Sequence, residues 1–268
     1  MPQTTYWSTI AGSCFHERVD AKVTTGRFPA ESIKDHVQRL VDDHLKNSPF
    51  DESDGIRVSK QLPSGLRATD HPNGFDKAAV IAAVPIWLNK WHRFMADQEA
   101  DGWVVWAEPD GTPGAEVEVR YELGGHPVVG SIDLVMLKRR AIRDDQIALW
   151  DYKAGRSKPD DTSQLDGYRI GFEETYGLTP HQAGYWMART GKEHLTATLP
   201  TFTRAMLDYK FAEAGERAAQ AEVGEYHIDR TACAYLCSVK DSCPLVGGYL
   251  SELVALPTPT VRDGMIHS

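Results

Sequence analysis

The hydrophobic positions first mark helices, then strands, then a mixture of both. Across residues 31–45 the apolar side chains Ile33, Val37, Leu40, Val41 and Leu45 recur at three- and four-residue spacing, which predicts an amphipathic helix. Residues 47–73 are rich in Asp, Ser, Gly and Pro and predict a long loop or insertion. A second helix is predicted over 78–97, with Trp87 and Trp91 one turn apart and Pro85 bending it or marking its start. The period then becomes strand-like. Segments 103–107, 116–123, 127–138 and 146–153 are rich in Val, Ile, Trp and Tyr, with turn-forming residues between them, and predict an antiparallel meander. A helix over 162–176, strands over 183–188 and 194–199, and a helix over 202–223 complete the pattern. There is no internal repeat. This order predicts a mixed α/β domain with helices packed on a central sheet.

Composition narrows the class. The chain has 268 residues, of which 41% are hydrophobic and 25% charged. That suffices for a well-buried core and excludes a disordered chain. The formal net charge of −9 runs against a general polyanion binder. Basic residues nevertheless cluster locally, at Lys138, Arg139, Arg140 and Arg143, and again at Lys153, Arg156 and Lys158. The longest apolar stretch, 78–88, is too short to span a bilayer and contains Pro85. Residues 1–10 show no basic region leading into an apolar run. The expectation is a cytoplasmic protein with no membrane partner.

The chemistry concentrates in Gly130-Ser131-Ile132-Asp133 and Trp150-Asp151-Tyr152-Lys153. Asp151 and Lys153 are two apart, so on a strand they share a face. Two carboxylates and an ammonium converging on one side of a sheet suit a divalent metal and the water it activates. The following helix places Gln164 and Tyr168 on one face. Taken singly, Asp133 reads as a strand-end aspartate and Asp151 with Lys153 as a surface pair; their joint order gives the pattern its specificity. Separately, Cys233, Cys237 and Cys243 fall close together near the C-terminus, with Cys14 far upstream. In a reducing compartment such clustering favours a metal or iron–sulfur centre over disulfides.

The set Asp133, Asp151-Tyr152-Lys153, Gln164 and Tyr168 resembles the PD-(D/E)XK nucleases. The nearest branch is RecB-like, including the CRISPR-associated iron–sulfur exonucleases, which share the Gln-x-x-x-Tyr element. This resemblance implies a restriction-endonuclease-like α/β core: a central mixed sheet flanked by helices, and an iron–sulfur subdomain formed by the two chain ends. It implies Asp133, Asp151 and the Tyr152 carbonyl as ligands of Mg2+ or Mn2+, with His36 from an upstream helix as a further ligand and His44 as its alternative. Lys153 would orient the attacking water, and Gln164 and Tyr168 would position DNA. Glu116 and Glu118 read as an exposed strand face. Cys14, Cys233, Cys237 and Cys243 would hold a [4Fe-4S] cluster, with a four-cysteine zinc site as the alternative and free thiols as the third possibility. The implied layout is an N-terminal helical region (1–100), a nuclease core (101–200) and a C-terminal cysteine segment (201–268). The implied activity is a metal-dependent DNA exonuclease acting on single strands or ends in recombination, repair or CRISPR-adaptation-like processing, with protein partners from those processes. Two other functions compete: a non-catalytic DNA-binding or assembly protein of the same fold, and an unrelated redox or zinc protein.

Overall fold

The computed structural model describes residues 5–46, 51–139, 145–155, 157–159, 161–195 and 203–222. A two-residue strand, β1 (Thr5–Tyr6), leads into helix α1 (Trp7–Thr25). The predicted elements do not include α1. Its buried residues Trp7, Ile10, Ala11, Cys14, Phe15, Arg18 and Val19 lie on one face at three- and four-residue spacing, but Arg18 interrupts that stripe, which blurs the contrast. Gly26 ends it in the left-handed region, φ 77°, with its N–H on the Lys22 carbonyl. Helix α2 (Ile33–Leu45) is capped by Ser32, whose Oγ accepts from the Asp35 N–H at 3.1 Å. Part of the predicted loop is ordered. It contains α3 (Glu52–Gly55) and β2 (Ile56–Arg57), and β2 pairs in parallel with β1 and buries Ile56. Helix α4 (Lys77–Ala100) starts at its Asp76 cap, so Pro85 lies inside the helix and does not mark its start.

The main sheet holds β3 (Val104–Val105), β4 (Ala115–Leu123), β5 (His126–Lys138), β6 (Gln146–Lys153), β7 (Gln182–Met187) and β8 (Lys192–Leu195). The predicted meander holds for β4, β5 and β6. The first strand departs from it: β3 skips β4 and pairs with the far end of β5, Val104 opposite Leu137. Helix α5 (Ser163–Tyr176) carries the chain from β6 to β7, which are parallel, and β8 returns antiparallel. The last helix is α6 (Arg204–Glu222). Residues 1–209 form one compact unit; of the second, 210–268, only the remainder of α6 is described. No helix among the described residues is long and apolar enough to cross a membrane.

Two cores sandwich the sheet. On one face α1 and α4 pack over Leu134, Met136, Trp150, Tyr152 and Trp186. Here Phe15 stacks on Trp186 at 5.5 Å, and Phe94 meets Trp150 edge-on at 5.1 Å. On the other face α5 packs over Val117, Val119, Ile132, Leu149 and Tyr185.

The seat of α5 depends on glycines. A Cβ at Gly171 would stand 2.6 Å from Tyr121 Cδ1 and 2.9 Å from Val119 Cγ2; one at Gly167 would stand 2.7 Å from the Tyr121 hydroxyl. Gly130, on β5, leaves room for the Tyr168 ring. Helix propensity favours alanine over glycine by about 1 kcal/mol, whereas overpacking costs about 1–3 kcal/mol. With approaches this short the clash outweighs the propensity. Gly171→Ala is therefore expected to lower stability by about 1–2 kcal/mol in urea unfolding. A rise in stability would show that α5 is not wedged on Tyr121.

Candidate metal centre

The β4–β5 ladder pairs Ala115 with Leu134 and Val117 with Ile132, which puts Glu116 and Asp133 at the same step. The regular alternation fails at this step. Ile132 packs beneath α5, whereas Leu134, two residues on, packs beneath α1 and α4. Glu116 has φ 50°, the only positive value for a non-glycine among the described residues. Such a conformation costs of order 1–3 kcal/mol and persists where surrounding structure enforces it. Here it turns Glu116 toward Asp133 on the neighbouring strand.

Helix α1 supplies the third group. His16 Nδ1 lies 3.4 Å from Asp133 Oδ1. One turn earlier, Gly12 lets α1 lie close to the chain leaving β6, since a Cβ there would sit 3.2 Å from that of Ala154. His16, Glu116 and Asp133 each offer one ligand atom, and these atoms lie within 4.8 Å of one another. Asp133 Oδ2 also accepts the Tyr152 backbone N–H. Burial disfavours a charged His16, but the hydrogen bond and charge of Asp133, with Glu116 and Asp151 beyond, raise its pKa overall. Glu116 is raised by desolvation, with Asp133 adding to the effect.

Asp151 lies one step past the Leu134–Trp150 pair and is only 2% exposed. Desolvation first, and then the negative charge of Asp133, push its carboxyl up to about 6. Lys153 opposes this shift, with Nζ 2.7 Å from Asp151 Oδ2. The same Nζ donates to Gln164 Oε1 at 2.9 Å, and Gln164 Nε2 donates to the Tyr168 hydroxyl at 2.8 Å. The structure thus joins Asp151, Lys153, Gln164 and Tyr168 in one continuous polar chain beside Asp133.

His36 is not at this site. Its Nδ1 lies 3.3 Å from the Arg18 guanidinium, and its Nε2 lies 2.9 Å from Glu17 Oε2. Nδ1 also lies 3.3 Å from Glu31 Oε1, so both ring nitrogens are engaged by Glu17, Arg18 and Glu31 and not by the Asp133 site. His44 sits on the last turn of α2, also outside the ligand group. His16 stands where His36 was expected, and Glu116, exposed as expected, nevertheless lies within reach of Asp133 and His16. Glu118 does face outward, paired with Arg120 at 2.7 Å. Of the first basic cluster, Lys138 is not close either. Lys138 lies five residues beyond Asp133 on the same strand, roughly 17 Å away, and it pairs with Asp101 at 2.9 Å. Arg140, Arg143 and Arg156 lie outside the described residues, as do Cys233, Cys237 and Cys243.

His16, Glu116 and Asp133, with Asp151 at the ladder step beside Asp133, offer hard oxygen donors and one nitrogen donor of the kind that Mg2+ or Mn2+ takes. Mutual repulsion and desolvation of the acids are the conditions that a bound cation relieves.

The sequence profile of the PD-(D/E)XK nuclease superfamily matches residues 7–244. The "Gene 69 protein" of Mycobacterium phage D29 is 30% identical over 163 residues, covering 59% of this chain and 58% of that protein. The match thus spans less than two thirds of the relative's length. A solved structure, "Crystal structure of SSO0001", aligns at 12% identity and TM-score 0.29 over 68% of this chain and 80% of that one.

The raised Asp151 sets a pH dependence whose sign can be worked out. Between its unfolded value, near 4, and about 6, the folded state binds the proton more tightly. The stability contribution of Asp151 is therefore present below that window and is lost as pH rises through about 6. Asp151→Asn is expected to raise the thermal midpoint of metal-free protein at pH 8, with the gain vanishing toward pH 4. Scanning calorimetry at both pH values checks this; a destabilised variant at pH 8 would show that ionised Asp151 is favourably paired.

Proposed function

The chain belongs to the PD-(D/E)XK nuclease superfamily, and on that premise we propose that it is a divalent-metal-dependent deoxyribonuclease cutting the phosphodiester bonds of DNA at single strands or ends. The observation that carries the reading is the raised, buried Asp151 set beside Asp133, with Lys153 held between Asp151 and Gln164. A binding protein gains nothing from placing like charges together out of water, whereas a metal-assisted hydrolase needs them. The proposed setting is DNA end processing, recombination or repair; that a relative occurs in Mycobacterium phage D29 is consistent with a phage source.

Asp133, Asp151, Glu116 and His16 would hold the ion, with the Tyr152 peptide beside them. When bound, the ion would lower the pKa of a water and offset charge on the scissile phosphate. Lys153 presents hydrogens to a phosphate oxygen or to the attacking water, and its ammonium offsets developing negative charge. Gln164 fixes the Lys153 amine, and the Tyr168 hydroxyl fixes Gln164.

The finer proposal of a [4Fe-4S] cluster, or of zinc, on Cys14, Cys233, Cys237 and Cys243 rests on cysteine spacing. Cys14 is fully buried on α1, and burial pushes its thiol up to about 12; its three proposed partners lie outside the described residues. No step of the proposed reaction depends on it.

Two measurements test these readings. End-labelled DNA should be degraded with Mg2+ or Mn2+ and spared with EDTA. Asp133→Ala and Lys153→Ala should each lower the rate by about a hundredfold or more with the fold intact; persistent cleavage in both variants would refute the assignment. Iron and sulfide assay of anaerobically purified protein decides the cluster, with about four irons per chain if it exists and none if the cysteines are thiols.

A further inference from the structure

Rows of side chains in register run from the carboxylates toward the edge strand. Asp151 is opposite Tyr185 on β7, and Tyr185 is opposite His194 on β8. Lys153 is likewise opposite Met187, and Met187 opposite Lys192. Residues in register across strands share a face, so Lys192 and His194 lie on the same side of the sheet as Lys153. Glu193 between them turns to the other side, where Gln98 of α4 reaches it at 3.4 Å. Helix α5 packs over β4 to β7. On β8, Lys192 is exposed and His194 half-buried. Neither side chain has a hydrogen-bond or ion-pair partner among the described residues. Lys158, exposed in the segment between β6 and α5, adds a further cation after Lys153.

In a chain of net charge −9, cations in step with the metal-site lysine form a local positive strip suited to an anionic occupant. Neighbouring strands lie about 4.8 Å apart, so Lys192 stands roughly 10 Å from the Lys153 row. We propose that Lys192 and His194 grip the phosphates flanking the one cut at Lys153, making the open face of β8 the track along which a DNA strand leaves the carboxylates. This rests on the nuclease reading and names the binding surface of that same site.

The test measures binding of a short fluorescein-labelled oligodeoxythymidine by anisotropy across a salt series, together with Mg2+-dependent cleavage. Wild type is compared with Lys192→Glu, the double variant Lys192→Gln/His194→Gln, and Glu193→Gln as the opposite-face control. The β8 variants should bind roughly three- to tenfold more weakly, with the salt slope reduced by about 0.7 for each phosphate no longer neutralised. KM should rise by a similar factor, and the control should match wild type. If the β8 variants bind and cut like wild type, the track is refuted while the nuclease stands. Equal weakening in the control would also refute it, since disturbance of β8 and not the loss of cations would then account for the effect. If wild type itself neither binds nor cuts, the nuclease reading fails first.

Discussion

Asp133 and Asp151 sit on adjacent strands at a ladder step that forces their carboxylates together, and much of the surrounding structure answers that repulsion. One answer is cationic: Lys153 pairs with Asp151, and His16 with Asp133. Another is dipolar, since the Tyr152 amide donates to Asp133. Neither suffices, as the raised Asp151 carboxyl shows. The site is left short of positive charge, which a divalent ion supplies and which folding alone does not.

Holding the acids in place requires stiffness on both faces of the sheet. The aromatic layer of Phe15, Phe94, Trp150 and Trp186 fixes α1 and α4 against one face, so that His16, next to Phe15 in sequence, has little freedom. The Trp91 indole N–H on the Tyr152 hydroxyl at 3.0 Å pins the residue between Asp151 and Lys153. On the other face, glycines on α5 and β5 replace side-chain packing with direct approach, which sets the height of Gln164 above Lys153. Orientation on both sides comes from large, inflexible groups meeting positions with no side chain at all.

Much of this was legible in the sequence because strands and half-buried helices have strong periods. The β4–β5–β6 meander, the α5 crossover and the placing of Asp151, Lys153, Gln164 and Tyr168 along one line follow from two-residue and four-residue spacing. The misses have physical causes. Helix α1 buries one face, but that face carries the charged Arg18 and the small Ala11 and Cys14, so its polar–apolar contrast is weak in the sequence. His36 lies on the helix with a clear stripe, but that stripe delivers it to Glu17 and Arg18 and leaves His16 to meet Asp133. The available signal was Gly12, one turn before His16, marking a close approach. Glu116 was hidden because a left-handed glutamate is imposed by the face switch of the β4–β5 pair, which no local pattern encodes. Lys138 looked near the site because the sequence separation is short, whereas an extended strand turns five residues into a long distance.

The His16–Asp133 pair joins the first helix to the middle of the sheet, and β7 and β8 come later still. During synthesis the N-terminal helix must wait for most of the unit before its partner strands exist, a high contact order that slows assembly and makes it cooperative. A half-made or clipped chain therefore carries the acids without the arrangement that binds the ion. On the nuclease reading proposed above, the order of the elements along the chain would itself keep incomplete molecules inactive, because His16 meets Asp133 only once the later strands have formed.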